Sequence, residues 1–192
     1  NNTSQSFRRL VFDELCANFF ILSENRKKIK KIKSQKIFTE KYSKIVKDKL
    51  SFSLTTSQKK VLAEINKDLS KKQRMFRIIQ GDVGSGKTIV SLLVICNIIE
   101  SGYQCALMAP TEILATQHFN LAKKIFEGLK FKIDFLSGKT DLKNRKKTLK
   151  FLKDGDTNLI IGTHALFQKK IVFKKLGLII IDEQHKFGVK QR

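Results

Sequence analysis

Gly81-Asp82-Val83-Gly84-Ser85-Gly86-Lys87-Thr88 limits what this chain can fold into more than any other stretch. It satisfies the pattern G-x-x-x-x-G-K-[ST] at every fixed position. Its glycines let the backbone turn tightly and aim several N–H groups at one point. The apolar residues from Met75 to Ile79 predict a strand over 75–80, leading into the loop. Ile89-Val90-Ser91-Leu92-Leu93-Val94 predict a helix over 87–100, leading out of it. The start of that helix adds unpaired N–H groups and a positive dipole end at the same point. A string of phosphate oxygens fits such a place. Lys87 would reach the β/γ-phosphates, Thr88 would hold Mg²⁺, and the backbone from Gly81 to Gly86 would wrap the phosphates. A glycine-rich turn that binds nothing is the plainer reading, and the strand–loop–helix context argues against it.

After Leu54 strands and helices alternate. Thr55 with Gln58 fits a capping box opening a helix whose apolar side is Val61, Leu62, Ile65 and Leu69. Beyond the loop the pattern predicts strands over 104–109, 131–136, 158–161 and 176–181. Helices are predicted over 112–128 and 141–153, with a short helical turn before the last strand. Ala106-Leu107-Met108, Asn158-Leu159-Ile160-Ile161 and Leu178-Ile179-Ile180-Ile181 are near-continuous apolar runs. Such runs mark strands buried on both faces, hence an α/β fold with a parallel sheet and helices on each side. Ligands of such sheets bind beyond the carboxyl ends of the strands. Upstream, Phe7, Leu10, Val11, Leu15, Phe19 and Leu22 recur at helical steps and predict a helix over 6–33. Its second half, Arg26 to Lys33, is almost all basic, a solvated face or one that tracks phosphates. Residues 34–53 show no period and read as a connector.

The last strand ends in Asp182-Glu183. Asp182 would hold Mg²⁺ through water while Thr88 takes another position. Glu183 would orient and deprotonate an attacking water. An acidic pair after a strand is common by chance; behind a phosphate loop it gains meaning. His185 is expected to couple nucleotide to nucleic acid rather than bind a metal. His118 lies inside a helix and reads as a packed histidine.

The formal charge is +22, from 39 Lys+Arg against 17 Asp+Glu. That balance favours a polyanionic partner, although a lysine-biased surface serving only solvation would look the same. Cys16, Cys96 and Cys105 have no C-x-x-C spacing and suit reduced, mostly buried thiols. No apolar run is long enough to cross a bilayer and no signal peptide is present, so the expectation is a cytoplasmic protein without a membrane partner. The chain begins without Met and ends at Gln191-Arg192, which reads as an internal excerpt.

Asp182-Glu183-Gln184-His185 is a DExH-type box, and the chain resembles superfamily 2 helicases. Within them it resembles the bacterial ATP-dependent DNA helicases that remodel branched DNA. Gln80 to Thr88 resembles their motif I, and Ala109-Pro110-Thr111-Glu112-Ile113-Leu114-Ala115-Thr116-Gln117-His118 their motif Ia. Leu136-Ser137-Gly138 resembles the short motif that follows, Ile161-Gly162-Thr163-His164-Ala165-Leu166 motif Ic, and Ile181 to Arg192 motif II and its continuation. Phe52-Ser53-Leu54-Thr55 with Gln58 resembles the Q motif, whose glutamine reads adenine. The resemblance implies a RecA-like P-loop domain over 52–192, preceded by a helical linker over 1–51. It implies ATP and Mg²⁺ as cofactors, with Phe52, Gln58, Gly81, Asp82, Val83, Gly84, Ser85, Gly86, Lys87, Thr88 and Asp182 at the nucleotide. Lys87, Asp182 and Glu183 would be catalytic, and Thr88 and Asp182 would hold the metal. Pro110, Thr111, Gly138, Thr163 and His164 would meet the DNA backbone.

The same resemblance implies branched duplex DNA as partner, nucleoid association, and a monomer. It also implies a second RecA-like lobe bearing an arginine finger and an OB-fold wedge elsewhere in a longer chain. The transcription–repair coupling translocases are the nearest rival; Ser85 and Gln184 favour the branched-DNA helicases. A basic nucleic-acid-binding module with a vestigial phosphate loop is the non-enzymatic alternative. Intact Lys87, Thr88, Asp182 and Glu183 speak against it.

Overall fold

The structure, a computed structural model, describes residues 5–29, 38–168 and 171–186. They fall into two compact units, Asn1–Lys36 with Lys67–Ile78, and Ile37–Asn66 with Ile79–Arg192.

In the first unit, helix α1 spans Gln5–Ile29, as the apolar spacing predicts. Leu10, Phe12, Leu15, Phe19 and Phe20 on it are exposed. Residues 30–33, the end of the predicted helix, lie outside the described set. Cys16 is also exposed, unlike the buried thiol expected there. Asp68 receives Lys71 at 2.7 Å and Arg77 at 3.0 Å, and these hydrogen bonds, Lys71's first, hold its carboxyl below the usual carboxylate range.

The predicted strand over 75–80 does not form: residues 74–80 are irregular, and Phe76 and Ile78 are exposed. Strand preference is a preference for a paired, half-covered surface. Apolar composition alone cannot supply the neighbouring strand.

The second unit holds the sheet. Its strands are β1 (Gln104–Met108), β2 (Ile133–Leu136), β3 (Leu159–Gly162) and β4 (Leu176–Ile181). They lie in the order β2-β3-β1-β4 and every pairing is parallel. Every residue of β1 and β3 is buried. Successive side chains on a strand point to opposite faces, so both faces of the sheet centre are covered. β4 is an end strand; Leu178 is buried but Ile179 is exposed, so its apolar run overstates its burial.

Helix α2 (Lys41–Lys49) occupies part of the expected connector. Only Ser43 and Val46 of it are buried, and lysines interrupt any stripe a periodicity search would register. Helix α3 (Thr56–Ser70) begins where the capping box places it, and Leu62, Ile65 and Leu69 are buried. Helix α4 (Lys87–Glu100) is apolar on all sides, and Leu92 through Ile99 are all buried. A helix of that composition must be covered all round; α4 packs on β1, β4 and α2. Burial, with Glu100 adding to it, pushes the Cys96 thiol on this helix up to about 12.

Helices α5 (Glu112–Ile125) and α6 (Leu142–Asp154) complete the second unit. Thr111 caps α5 by accepting from the Leu114 N–H, and Asp141 caps α6 by accepting from the Asn144 N–H at 2.8 Å. At the other end of the sheet, the Gln104 side chain donates to the carbonyls of Leu152 and Thr157 and accepts from the Lys175 N–H. One buried amide thus ties β1 to the end of α6 and the start of β4. Among the described residues no helix is long and apolar enough to cross a membrane.

Candidate functional site

Directly after the four strands come Pro110 and Thr111, Gly138, Thr163 and His164, and the Asp182–Glu183 pair. The phosphate loop leads directly into α4, whose N-cap is Gly86 with φ 81 and ψ 20. That left-handed conformation favours glycine. A Cβ there would also collide with the Gln58 side-chain amide. No side chain caps α4, so its first N–H groups remain available to an anion. The Lys87 ammonium donates to the carbonyls of Gly81 and Asp82, each at 2.7 Å. Val83 at the loop tip is fully exposed, and Thr88 is half-buried on the first turn.

Gln58 closes the loop from α3. The Thr55 N–H donates to its Oε1 at 3.0 Å, and its own N–H donates to the Thr55 hydroxyl at 3.2 Å. Its Nε2 donates to the Ser85 carbonyl at 2.9 Å. A glutamine amide has two donor hydrogens and two acceptor lone pairs. These bonds use one of each and leave one of each, the pair that an adenine edge requires. Phe52 is half-exposed and lines a cavity of about 670 Å³ with Leu54, Lys59, Leu62 and Asn66.

Directly after β4 the Asp182 N–H donates to the Met108 carbonyl at 2.8 Å, carrying the β1–β4 ladder one step further. The His118 Nε2 lies 2.7 Å from Asp182 Oδ2, and the Glu183 N–H donates to Oδ1 at 3.0 Å. The His118 hydrogen bond holds the Asp182 carboxyl below its ordinary value; the Glu183 N–H and the charge of Lys87 act the same way, and burial opposes them. Glu183 has φ 50, unusual for a residue with a side chain. That turn carries the chain from β4 into the 3-10 segment Gln184–Lys186 and brings the Glu183 N–H onto Asp182. The remainder of the motif II continuation, 187–192, lies outside the described residues.

The residues expected at DNA follow the neighbouring strands. Pro110 and Thr111 follow β1, Gly138 follows β2, and Thr163 and His164 follow β3. Glu112 joins two of these loops, accepting from Ser137 Oγ at 3.2 Å and meeting the Lys139 ammonium at 3.2 Å. Gly162 passes so near the Leu136 carbonyl that a Cβ would collide with it, which draws the loops after β2 and β3 together. Gly138 and His164 are exposed, whereas Thr163 is buried.

The oxygen donors here suit Mg²⁺. That ion keeps several waters and takes only one or two protein groups beside substrate phosphates. Thr88 offers a hydroxyl and Asp182 a carboxylate whose charge is preserved by its partners. Among the described residues no three His, Cys, Asp or Glu cluster into an all-protein metal cage.

His118 was legible as a buried histidine but not as the partner of Asp182. The available signal was its place between Ala115 and Ala122, both fully buried on α5. A polar side chain on a buried stripe needs a hydrogen-bond partner.

The DEAD/DEAH box helicase family profile matches residues 55–192, and the chain belongs to that family. Membership implies the use of ATP. Among the relatives it resembles are the ATP-dependent DNA helicases RecG. It is 42% identical to RecG of Aquifex aeolicus (strain VF5) over 186 residues, covering 96% of this chain and 24% of that protein. It is 46% identical to RecG of Bacillus subtilis (strain 168) over 158 residues, covering 82% and 23%. The chain thus spans about a quarter of the length of the curated relatives it matches. A solved structure of RecG bound to a three-way DNA junction superposes with a TM-score of 0.85 at 38% identity, over 94% of this chain and 25% of that one. The UvsW helicase from bacteriophage T4, at 19% identity and a TM-score of 0.57, covers 82% of this chain and 55% of its own; it shares the fold. The fold is the RecA-like helicase domain.

Proposed function

We propose that this chain carries the ATP-binding half of a RecG-type helicase. The whole protein hydrolyses ATP to unwind and remodel branched DNA, replication forks and Holliday junctions, in recombination and repair. The observation that carries this is an intact phosphate loop running into the N-terminus of α4 together with the Asp182–Glu183 pair directly after β4, in a chain whose family profile covers both. The branched substrate is supported by the solved RecG–junction complex that this chain resembles. The domain limits proposed are a helical linker over 1–51 and the ATP-binding domain from residue 52.

The loop from Gly81 to Gly86 and the first turn of α4 bind the phosphates. Lys87 exchanges the carbonyls of Gly81 and Asp82 for the β/γ-phosphate oxygens. Gln58 fixes the adenine with its remaining donor and acceptor, beside Phe52. Thr88 and Asp182 would hold Mg²⁺, which would neutralise charge on the phosphates. Glu183 orients the attacking water and accepts its proton. Pro110, Thr111, Gly138, Thr163 and His164 form the DNA-facing margin, where hydroxyls, backbone N–H groups and helix starts suit phosphate contacts. A second lobe supplies an arginine against the transition-state charge, and an OB-fold wedge grips the junction. The protein works as a monomer in the cytoplasm, associated with the nucleoid.

Steady-state hydrolysis by the 192-residue chain, beside the full-length protein and with and without a three-way junction, tests this. An arginine finger contributes about 10³–10⁵ in kcat. The chain alone is expected to bind ATP and turn it over at least about 10³-fold more slowly than the full-length protein. Robust junction-stimulated turnover by the chain alone would contradict the reading.

A further inference from the structure

We propose that His118 is the positioning residue of the metal-binding carboxylate. It fixes Asp182 so that the oxygens turned to the metal are set before nucleotide arrives. The inference rests on the reading of Asp182 as the Mg²⁺ carboxylate.

An ionised carboxylate only accepts hydrogen bonds, so the proton between the two side chains sits on His118 Nε2. Asp182 then carries one donor on each oxygen: Nε2 at 2.7 Å on Oδ2, and the Glu183 N–H at 3.0 Å on Oδ1. Two donors on opposite oxygens fix both the position and the plane of the carboxyl. They leave each oxygen a second lone pair for a metal-bound water. The two anchors come from different places. Glu183 belongs to the chain just after β4, whereas His118 lies 64 residues earlier, on α5.

α5 is suited to holding that second anchor. It packs on β3 and β2, and fully buried Ala115 and Ala122 flank His118 on its inner face. Small side chains on either side let the imidazole span from the helix to the end of β4. His118 itself is 9% exposed, so water competes poorly for the contact. Partners of this kind, which orient a ligand without touching the metal, typically change metal affinity 10–100-fold when lost.

The test uses the full-length protein, with ATPγS as nucleotide and Mn²⁺ as metal. The quantity read is the factor by which Mn²⁺ tightens ATPγS binding relative to EDTA. H118F, which removes the donor and keeps the ring, is expected to cut that factor by at least about 10-fold. ATPγS affinity in EDTA should stay within about two-fold of the parent, because the ligand-orienting effect acts on the metal alone. H118L, a second donor-less variant of different shape, should behave alike. H118Q places an amide N–H near the position of Nε2 and should recover most of the lost factor. The proposal is overturned if H118F and H118L keep the parent's factor while D182N loses it. It is also overturned if the donor-less variants weaken binding equally in EDTA and Mn²⁺, which marks a packing role. Retention of the factor by D182N would instead remove the underlying reading of Asp182 as the metal carboxylate.

Discussion

Replacing Lys87 by alanine should lower ATP turnover of the full-length protein by at least about 10²–10³-fold, the loss typical of one preorganised donor to developing charge. The ammonium already sits at the mouth of the loop, 2.7 Å from the carbonyls of Gly81 and Asp82. Both contacts are exposed to solvent, so water can replace the ammonium in the variant at little cost to folding. The substitution therefore separates function from stability. ATP affinity should fall as well, because the charge already meets the phosphates of bound ATP; the loss in turnover comes on top of it, because the same charge meets the transition state more strongly. Calorimetric titration with ATP, beside steady-state hydrolysis and a melting curve, checks this. Equal ATP affinity in K87A and parent would favour the basic module with a vestigial loop.

The second large effect is expected at Glu183. Glutamine in its place keeps length and polarity but cannot accept a proton. General-base catalysis contributes about 10²–10⁴-fold, and hydrolysis should fall by that amount. Nucleotide affinity should hold, since Asp182 keeps the backbone N–H of residue 183 on Oδ1. Single-turnover hydrolysis with a parallel binding titration separates the two quantities. A variant that binds ATP tenfold more weakly yet hydrolyses it at the parental rate would assign Glu183 to binding instead of proton transfer.

The parts of this fold legible in the sequence are those whose signals are local. The Thr55–Gln58 capping box forms as read. Helix α6, predicted over 141–153, spans Leu142–Asp154. The apolar runs of β1 and β3 are buried on both faces, because the strands lie inside the sheet.

What failed depends on neighbours. Met75 to Ile79 has a strand's composition, but residues 74–80 form no strand. α2 was hidden because nine residues rich in lysine present only Val46 as a buried apolar anchor. The site divides the same way. The phosphate loop and acidic box are read from short motifs. The His118–Asp182 pair joins residues brought together only by packing α5 against the sheet.

The central claim is that the triphosphate and its metal lie between the Lys87 ammonium and the Asp182 carboxylate. A crystal structure with a non-hydrolysable ATP analogue and Mn²⁺, the metal located by its anomalous scattering, measures this directly. The predicted result is a β- or γ-phosphate oxygen within hydrogen-bond reach of Lys87 Nζ, with Mn²⁺ on the Thr88 hydroxyl and one water away from Asp182. A nucleotide bound away from the Gly81–Thr88 loop, or a metal site that leaves Asp182 out, would contradict it.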